Sequence, residues 1–260
     1  MNCVPMNDTA AAFSDDAFLG GRLRLRQPRS GHRAGHDAML LAAATAGRPG
    51  GRVVDLGAGV GAAGLALARR VGGIALTMVE IDPDLAALAR YNAAANTIPA
   101  DVAVLDVTAG PAAFAAAGLG PDSVDVVLTN PPFNDGARHR ASPDAARAAA
   151  HMAQPATLEA WVHAARRVLK PGGLLTMIWR ADGLAEVLAA LSRGFGSVAV
   201  QPVHGEPGRS AIRILVRAVK GGRAPTQILT AVMLNDKNGV PSPEAAAVLT
   251  GQGILALAAP

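Results

Sequence analysis

The chain has 260 residues, half of them hydrophobic and 17% charged, which is enough for one sizeable core and excludes both a disordered tail and a charged helical rod. A single cysteine, Cys3, excludes a disulfide scaffold and any cysteine-based metal site. The formal net charge is +4, and removing residues 1–17, which hold Asp8, Asp15 and Asp16 without a Lys or Arg, leaves +7. With a sequence pI near 10.0, that balance points to a polyanionic partner, nucleic acid first.

No apolar run reaches the roughly 18 residues needed to cross a bilayer. The longest, Leu56 to Ala68, contains four glycines and reads as strand, loop and helix. The N-terminus lacks the basic start of a secretory signal, so the expectation is a soluble cytoplasmic protein. No metal-ligand spacing occurs, and the six histidines have no nucleophile beside them.

In chain order, residues 1–17 read as a flexible, mildly acidic tail. Arg22-Leu23-Arg24-Leu25-Arg26 alternates with the period of a strand, arginines on one face and leucines on the other. Asp37 to Ala46 reads as a short buried helix. From Arg52 a regular alternation begins. Strands are expected at 53–56, 74–81, 101–105, 124–128 and 174–179. The helices between and after them are expected at 65–70, 84–96, 111–117, 158–169 and 183–192. The fifth helix-to-strand passage is expected to break at Lys170-Pro171-Gly172-Gly173. Strands at 198–203 and 212–219 bring the total to seven. This order predicts an α/β fold, a doubly wound and mostly parallel seven-stranded sheet with helices on both faces. Residues 223–260 read as an extension covering an edge, with a strand near 228–234, a turn at 235–239 and a short helix at 244–249.

In such sheets a ligand lies beyond the carboxyl ends of the strands, where the strand order reverses. The residues at those ends are Asp55, Glu80, Asp106 and Asn130, spaced 25, 26 and 24 apart, about one βα unit each. Four polar side chains are therefore expected along one rim, as a cofactor site. The turn Asp55-Leu56-Gly57-Ala58-Gly59-Val60-Gly61 joins a strand to a helix. Its glycines and Glu80 also fit a nicotinamide dinucleotide fingerprint. Asp55 argues against phosphates, because a carboxylate there suits a cationic ligand.

The D-x-G-x-G-x-G turn resembles that of the class I S-adenosylmethionine (SAM) methyltransferases, which have a Rossmann-like fold. The resemblance implies that Gly57 and Gly59 allow close approach of SAM, Asp55 supports its amino-acid end, Glu80 holds the ribose and Asp106 meets the adenine.

Asn130-Pro131-Pro132-Phe133 follows the fourth expected strand, although Pro-Pro can also be a stiff turn and nothing more. An exocyclic amine is a poor nucleophile because its lone pair is delocalised. The Asn130 oxygen and the Pro131 carbonyl can each accept one N–H and stabilise charge as the nitrogen attacks, while Phe133 offers a flat stacking surface. The motif resembles the N/D-P-P-F/Y/W signature of amino-group methyltransferases, whose targets include bases and glutamine amides.

Gly20-Gly21-Arg22-Leu23, Gln27-Pro28-Arg29 and the stretch Gly31 to Ala42 look like the bacterial family that methylates adenine N6 beside the anticodon of a valine tRNA. The resemblance covers residues 18 to 222. It implies that Arg33 to Asp37 helps close the SAM pocket, with Asp37 as a contact, although Asp37 could equally cap the helix that starts there. Tyrosine often stands in that family where this chain has Phe133.

An RNA partner would use Arg22, Arg24 and Arg26, with Arg29 and Arg33 nearby, and a second basic cluster of Arg138, Arg140 and Arg147. The arginines could instead solvate an exposed edge. Other readings are a guanine-N2 rRNA methyltransferase, a glutamine-amide methyltransferase, a small-molecule N-methyltransferase and a non-catalytic RNA-binding protein.

Overall fold

The computed structural model describes residues 12–31, 33–132 and 156–258. The chain opens with a hairpin, β1 (Phe13–Phe18) and β2 (Leu23–Pro28), paired antiparallel as a two-stranded sheet of its own. Residues 13–17, expected in the tail, are therefore the first strand. The alternation of β2 holds: Leu23 and Leu25 are fully buried while Arg24 faces water. Helix α1 (His36–Ala44) follows.

The central unit is β3 (Arg52–Leu56), α2 (Ala62–Val71), β4 (Ala75–Glu80), α3 (Pro83–Ala95), β5 (Ala100–Val104), α4 (Pro111–Ala116) and β6 (Val124–Thr129). It continues with α5 (Ala156–Val168), β7 (Leu169–Arg180), α6 (Leu184–Leu191), β8 (Phe195–His204) and β9 (Ala211–Lys220). Capping explains the sharp start of α3, where the Asp82 carboxylate accepts from Asp84 N at 2.8 Å and Pro83 presets the first turn.

The strand order is β8-β9-β7-β6-β3-β4-β5. From β7 to β5 every pairing is parallel, whereas β9 lies antiparallel between β7 and β8. The seven long strands are those expected. Two residue pairs, β10 (Gln227–Ile228) and β11 (Val232–Met233), add to the outer edge of β8 and make nine strands among the described residues. Lys170-Pro171-Gly172-Gly173 does not delay the strand. Leu169 already pairs with Val124, and Leu174 with Val126, so four residues loop out of a continuing ladder.

Each sheet face carries its own core. On one face α1, α2 and α3 pack with the hairpin leucines, Met78 and Leu128. On the other, Phe114 of α4, Trp161 and Val162 of α5 and Val187 of α6 pack on Val54, Val127 and Met177. The C-terminal stretch belongs to the first core rather than hanging from it. Val232, Val248 of α7 (Pro243–Leu249), Leu255 and Leu257 are buried there, and Leu255 N donates to Ala43 O at 3.0 Å.

Candidate active site

The strand order reverses between β3 and β6, since β3 continues outward through β4 and β5 while β6 leads to β7. The carboxyl ends of these strands carry Asp55, Glu80, Asp106 and Asn130, so the expected row of four lies along one rim.

Beneath the glycine turn, Asp55 is 2% exposed and its Oδ2 accepts from Gly64 N, in the first turns of α2, at 2.8 Å. A Cβ on Gly64 would lie 2.9 Å from that oxygen, so glycine there lets helix and strand meet. Burial raises the Asp55 carboxyl to about 7; the Gly64 N–H opposes the rise and the nearby Glu80 charge adds to it. Asp55 thus ties the end of β3 to the start of α2 beneath the glycine turn.

Glu80 is 7% exposed and uses both oxygens. Oε2 accepts from Gly59 N at 2.7 Å, and Oε1 from Asp82 N at 2.9 Å. A carboxylate oxygen has two lone pairs, so each can still accept a hydroxyl. Gly59, at φ +56°, has no atom within 4 Å of where a Cβ would stand, and its surface is open to a ligand. Gly57 is different. It needs to be glycine because the chain itself fills the space, with Trp161 Cη2 only 2.3 Å from a hypothetical Cβ. Next to Glu80, Ile81 is 53% exposed, an apolar surface on which a flat ring can pack. Asp106 is exposed, and its Oδ1 accepts from Thr108 N at 2.7 Å. Open backbone, exposed isoleucine and a row of carboxylates fit a cationic ligand carrying a ribose and an adenine.

At the reversal point Thr129 Oγ1 donates to Leu56 O at 2.9 Å and locks β6 to β3. The next side chain, Asn130, has a buried Oδ1 with no hydrogen-bond partner among the described residues. Its neighbours cannot serve it, since Pro131 and Pro132 have no N–H. Leaving a buried amide oxygen unpaired costs about 1–3 kcal/mol. Phe133, Arg138, Arg140 and Arg147 lie outside the described residues.

Asp37 is not the cap of α1; that position is Gly35, with no side-chain cap. Asp37 Oδ2 instead accepts from Arg213 Nε at 2.9 Å. Arg213 stands opposite Arg180 at the carboxyl end of β7, so the pair ties α1 to the same rim.

The arginines of the hairpin are less free than their charge implies. Arg26 holds Asp15 by two bonds of 2.9 and 3.1 Å and lies 4.3 Å over the Tyr91 ring. Arg33 pairs with Asp16 at 2.5 Å, and Arg22 donates to Gly251 O at 3.0 Å. The two acids set aside with the tail thus neutralise two of these five cations. Sequence reasoning also missed Asn92 of α3 and Asn96, the residue that caps its C-terminus. Asn92 Oδ1 accepts from Arg26 N and Asn96 Oδ1 from Arg24 N, and both amides donate back to the carbonyls of the same two residues. Two asparagines four apart on a helix thereby match alternate residues of a strand, a spacing of about 6 Å on each. Asn pairs at that spacing in a helix otherwise rich in alanine were the available signal.

The family model of the methyltransferase small domain matches residues 32–205. Over 176 residues the chain is 30% identical to a tRNA1(Val) (adenine(37)-N6)-methyltransferase of Porphyromonas gingivalis, covering 66% of this chain and 68% of that protein. It is 30% identical over 154 residues to a release factor glutamine methyltransferase of Chlorobaculum tepidum, with 57% and 52% covered. A crystal structure from Agrobacterium tumefaciens, described as a predicted O-methyltransferase, superposes with a TM-score of 0.71 at 30% identity, covering 84% of this chain and 98% of that one.

Proposed function

The chain belongs to the methyltransferase small domain family, and we propose that it methylates an exocyclic amino nitrogen with SAM as donor, the favoured acceptor being adenine N6 in a tRNA. The observation that carries this reading is the buried Asn130 Oδ1, without a hydrogen-bond partner among the described residues, at the strand-order reversal beside the carboxylate rim. An acceptor oxygen held without a donor is complementary to an incoming N–H.

Bound SAM supplies a methyl group on a positively charged sulfur. Asp55 and Glu80 favour that charge, with Glu80 also placed for ribose hydroxyls and Ile81 for the adenine face. Asn130 Oδ1 accepts one N–H of the target amine and Pro131 O the other. On transfer of that methyl the target nitrogen would gain positive charge and then release one N–H proton to water. The two oxygens stabilise that charge, and alignment supplies much of the acceleration. Phe133 keeps its stacking role on the strength of the motif. Of the hairpin's candidate RNA contacts Arg22, Arg24 and Arg26, the exposed Arg24 is the foremost, because Asp15 already engages Arg26.

The tRNA acceptor is supported by the relative from Porphyromonas gingivalis and by the +4 charge. A glutamine amide is the second reading, because it presents the same N–H to Asn130 and the Chlorobaculum tepidum relative is named for that substrate. Transfer of labelled methyl from SAM to unfractionated tRNA, rRNA and protein, followed by nucleoside analysis, separates them. Label in N6-methyladenosine from tRNA supports the proposal; label in protein alone, or in none of the three, overturns it.

A further inference from the structure

The outer side of α5 carries His163, Arg166 and Arg167 at helical spacings of three and four, away from the face that buries Trp161, Val162 and Ala165. Two adjoining cavities of about 560 and 470 Å³ share these three residues. One continues to Lys220 and Gly221 near the amino edge of the sheet, and the other to Arg193 and to Thr108, two residues past Asp106 on the catalytic rim. The groove thus runs from the rim down the flank of the molecule. Among the described residues its four permanent cations, Arg166, Arg167, Arg193 and Lys220, meet one lining carboxylate, Glu159, and Lys220 is held by Asp122 at 2.6 Å.

The cations are positioned rather than merely solvated. Arg166 Nη1 donates to Arg193 O at 3.1 Å, and Nη2 meets His163 Nδ1 at 3.3 Å. Arginine only donates, so in this contact the ring nitrogen is the acceptor. Gly194, at φ +92°, allows this placement, because a Cβ there would lie 2.6 Å from Arg166 Cδ. Arg167 lies 4.3 Å over the Phe114 ring and donates to Ala109 O at 3.1 Å. Favourable interaction with helix C-termini accounts for Arg166, Arg167 and Arg193 being basic. It does not account for their convergence with Lys220, from a strand, on one groove.

We infer that this groove holds the phosphodiester backbone of the RNA substrate, a second contact remote from the methylated base. The inference rests on the RNA reading above. Since α5 runs back from the rim, Arg166 lies about 15 Å down the flank from its first residue, at 1.5 Å per residue. A polynucleotide with one base at Asn130 can reach it, whereas a lone nucleoside cannot.

The test measures binding of unfractionated tRNA by fluorescence anisotropy across a salt series, for the wild type, for Arg166→Gln/Arg193→Gln/Lys220→Gln and for Arg193→Glu alone. Each lost phosphate contact should reduce the slope of log K against log salt by about 0.7–0.9. The triple variant should lose about two units, Arg193→Glu about one, with SAM affinity kept in both. Arg193 is exposed and its replacement leaves the core untouched, so the single variant stands if the triple fails to fold. An unchanged slope in Arg193→Glu, with wild-type protein that does methylate tRNA, overturns the groove and leaves the function intact. Wild-type protein that neither binds nor methylates RNA overturns both.

Discussion

The indole of Trp161 occupies the space that a side chain on Gly57 would need, with Cη2 2.3 Å and Cζ3 2.7 Å from the position of a Cβ. The glycine turn is therefore shaped from beneath by α5, which comes about a hundred residues later in the chain. Gly57 also sits at φ +69°, where an L side chain is strained. Gly57→Ala is expected to cost about 2–4 kcal/mol of stability in urea denaturation. Adding Trp161→Leu, which opens the space, should make the double variant less destabilised than the two single losses together. Full additivity would show that the indole and the turn are not in conflict.

Asn130→Ala separates function from stability. Its oxygen has no partner among the described residues, so removing it should leave the melting temperature unchanged or slightly higher. Turnover should fall about 10²–10³-fold with SAM affinity held, as for loss of one donor or acceptor that acts in the transition state. Wild-type turnover in this variant would remove Asn130 from the reaction.

Asp55 should make both folding and cofactor binding depend on pH. Its carboxyl titrates near 7 when folded, against 3.8 as the ordinary value. Between these values the folded chain binds more protons than the unfolded one, so stability falls as pH rises from about 4 to 7 and is level above. A cationic ligand favours the ionised form, so SAM should bind more tightly with rising pH, by at most about tenfold per unit, levelling above 7. Calorimetry on Asp55→Asn should show both dependences flattened. If that variant keeps the wild-type pH profile, another group is responsible.

Asn92 and Asn96 predict a split between docking and cofactor binding. Both hold β2, but only Asn92 also donates to Val60 O in the glycine turn, at 3.0 Å. Either alanine variant should cost about 1–3 kcal/mol, because buried backbone groups of the hairpin lose their partners. Hydrogen exchange at residues 23–28 should speed up in both. SAM affinity should weaken in Asn92→Ala alone; equal loss in the two would mean that the hairpin, not the Val60 contact, supports the turn.

The order of amino acids alone was enough to place the row Asp55, Glu80, Asp106 and Asn130, because each ends a strand and a βα unit has a nearly constant length. It determined the burial of Leu23 and Leu25 for the same kind of reason, since a period of two is a local property of the backbone. The fold, and nothing local, made Asp15 and Asp16 the partners of Arg26 and Arg33, because the pairing depends on a hairpin whose first strand has no strong alternating pattern. It likewise decided that β9 would enter antiparallel between β7 and β8, which both directions of a buried apolar strand allow. The reason for Gly57 came from Trp161, more than a hundred residues later, and that for Asp37 from Arg213. Local spacing places a residue on an edge or a face; which distant side chain meets it there is settled by packing, where two elements compete for the same volume or two charges share one rim.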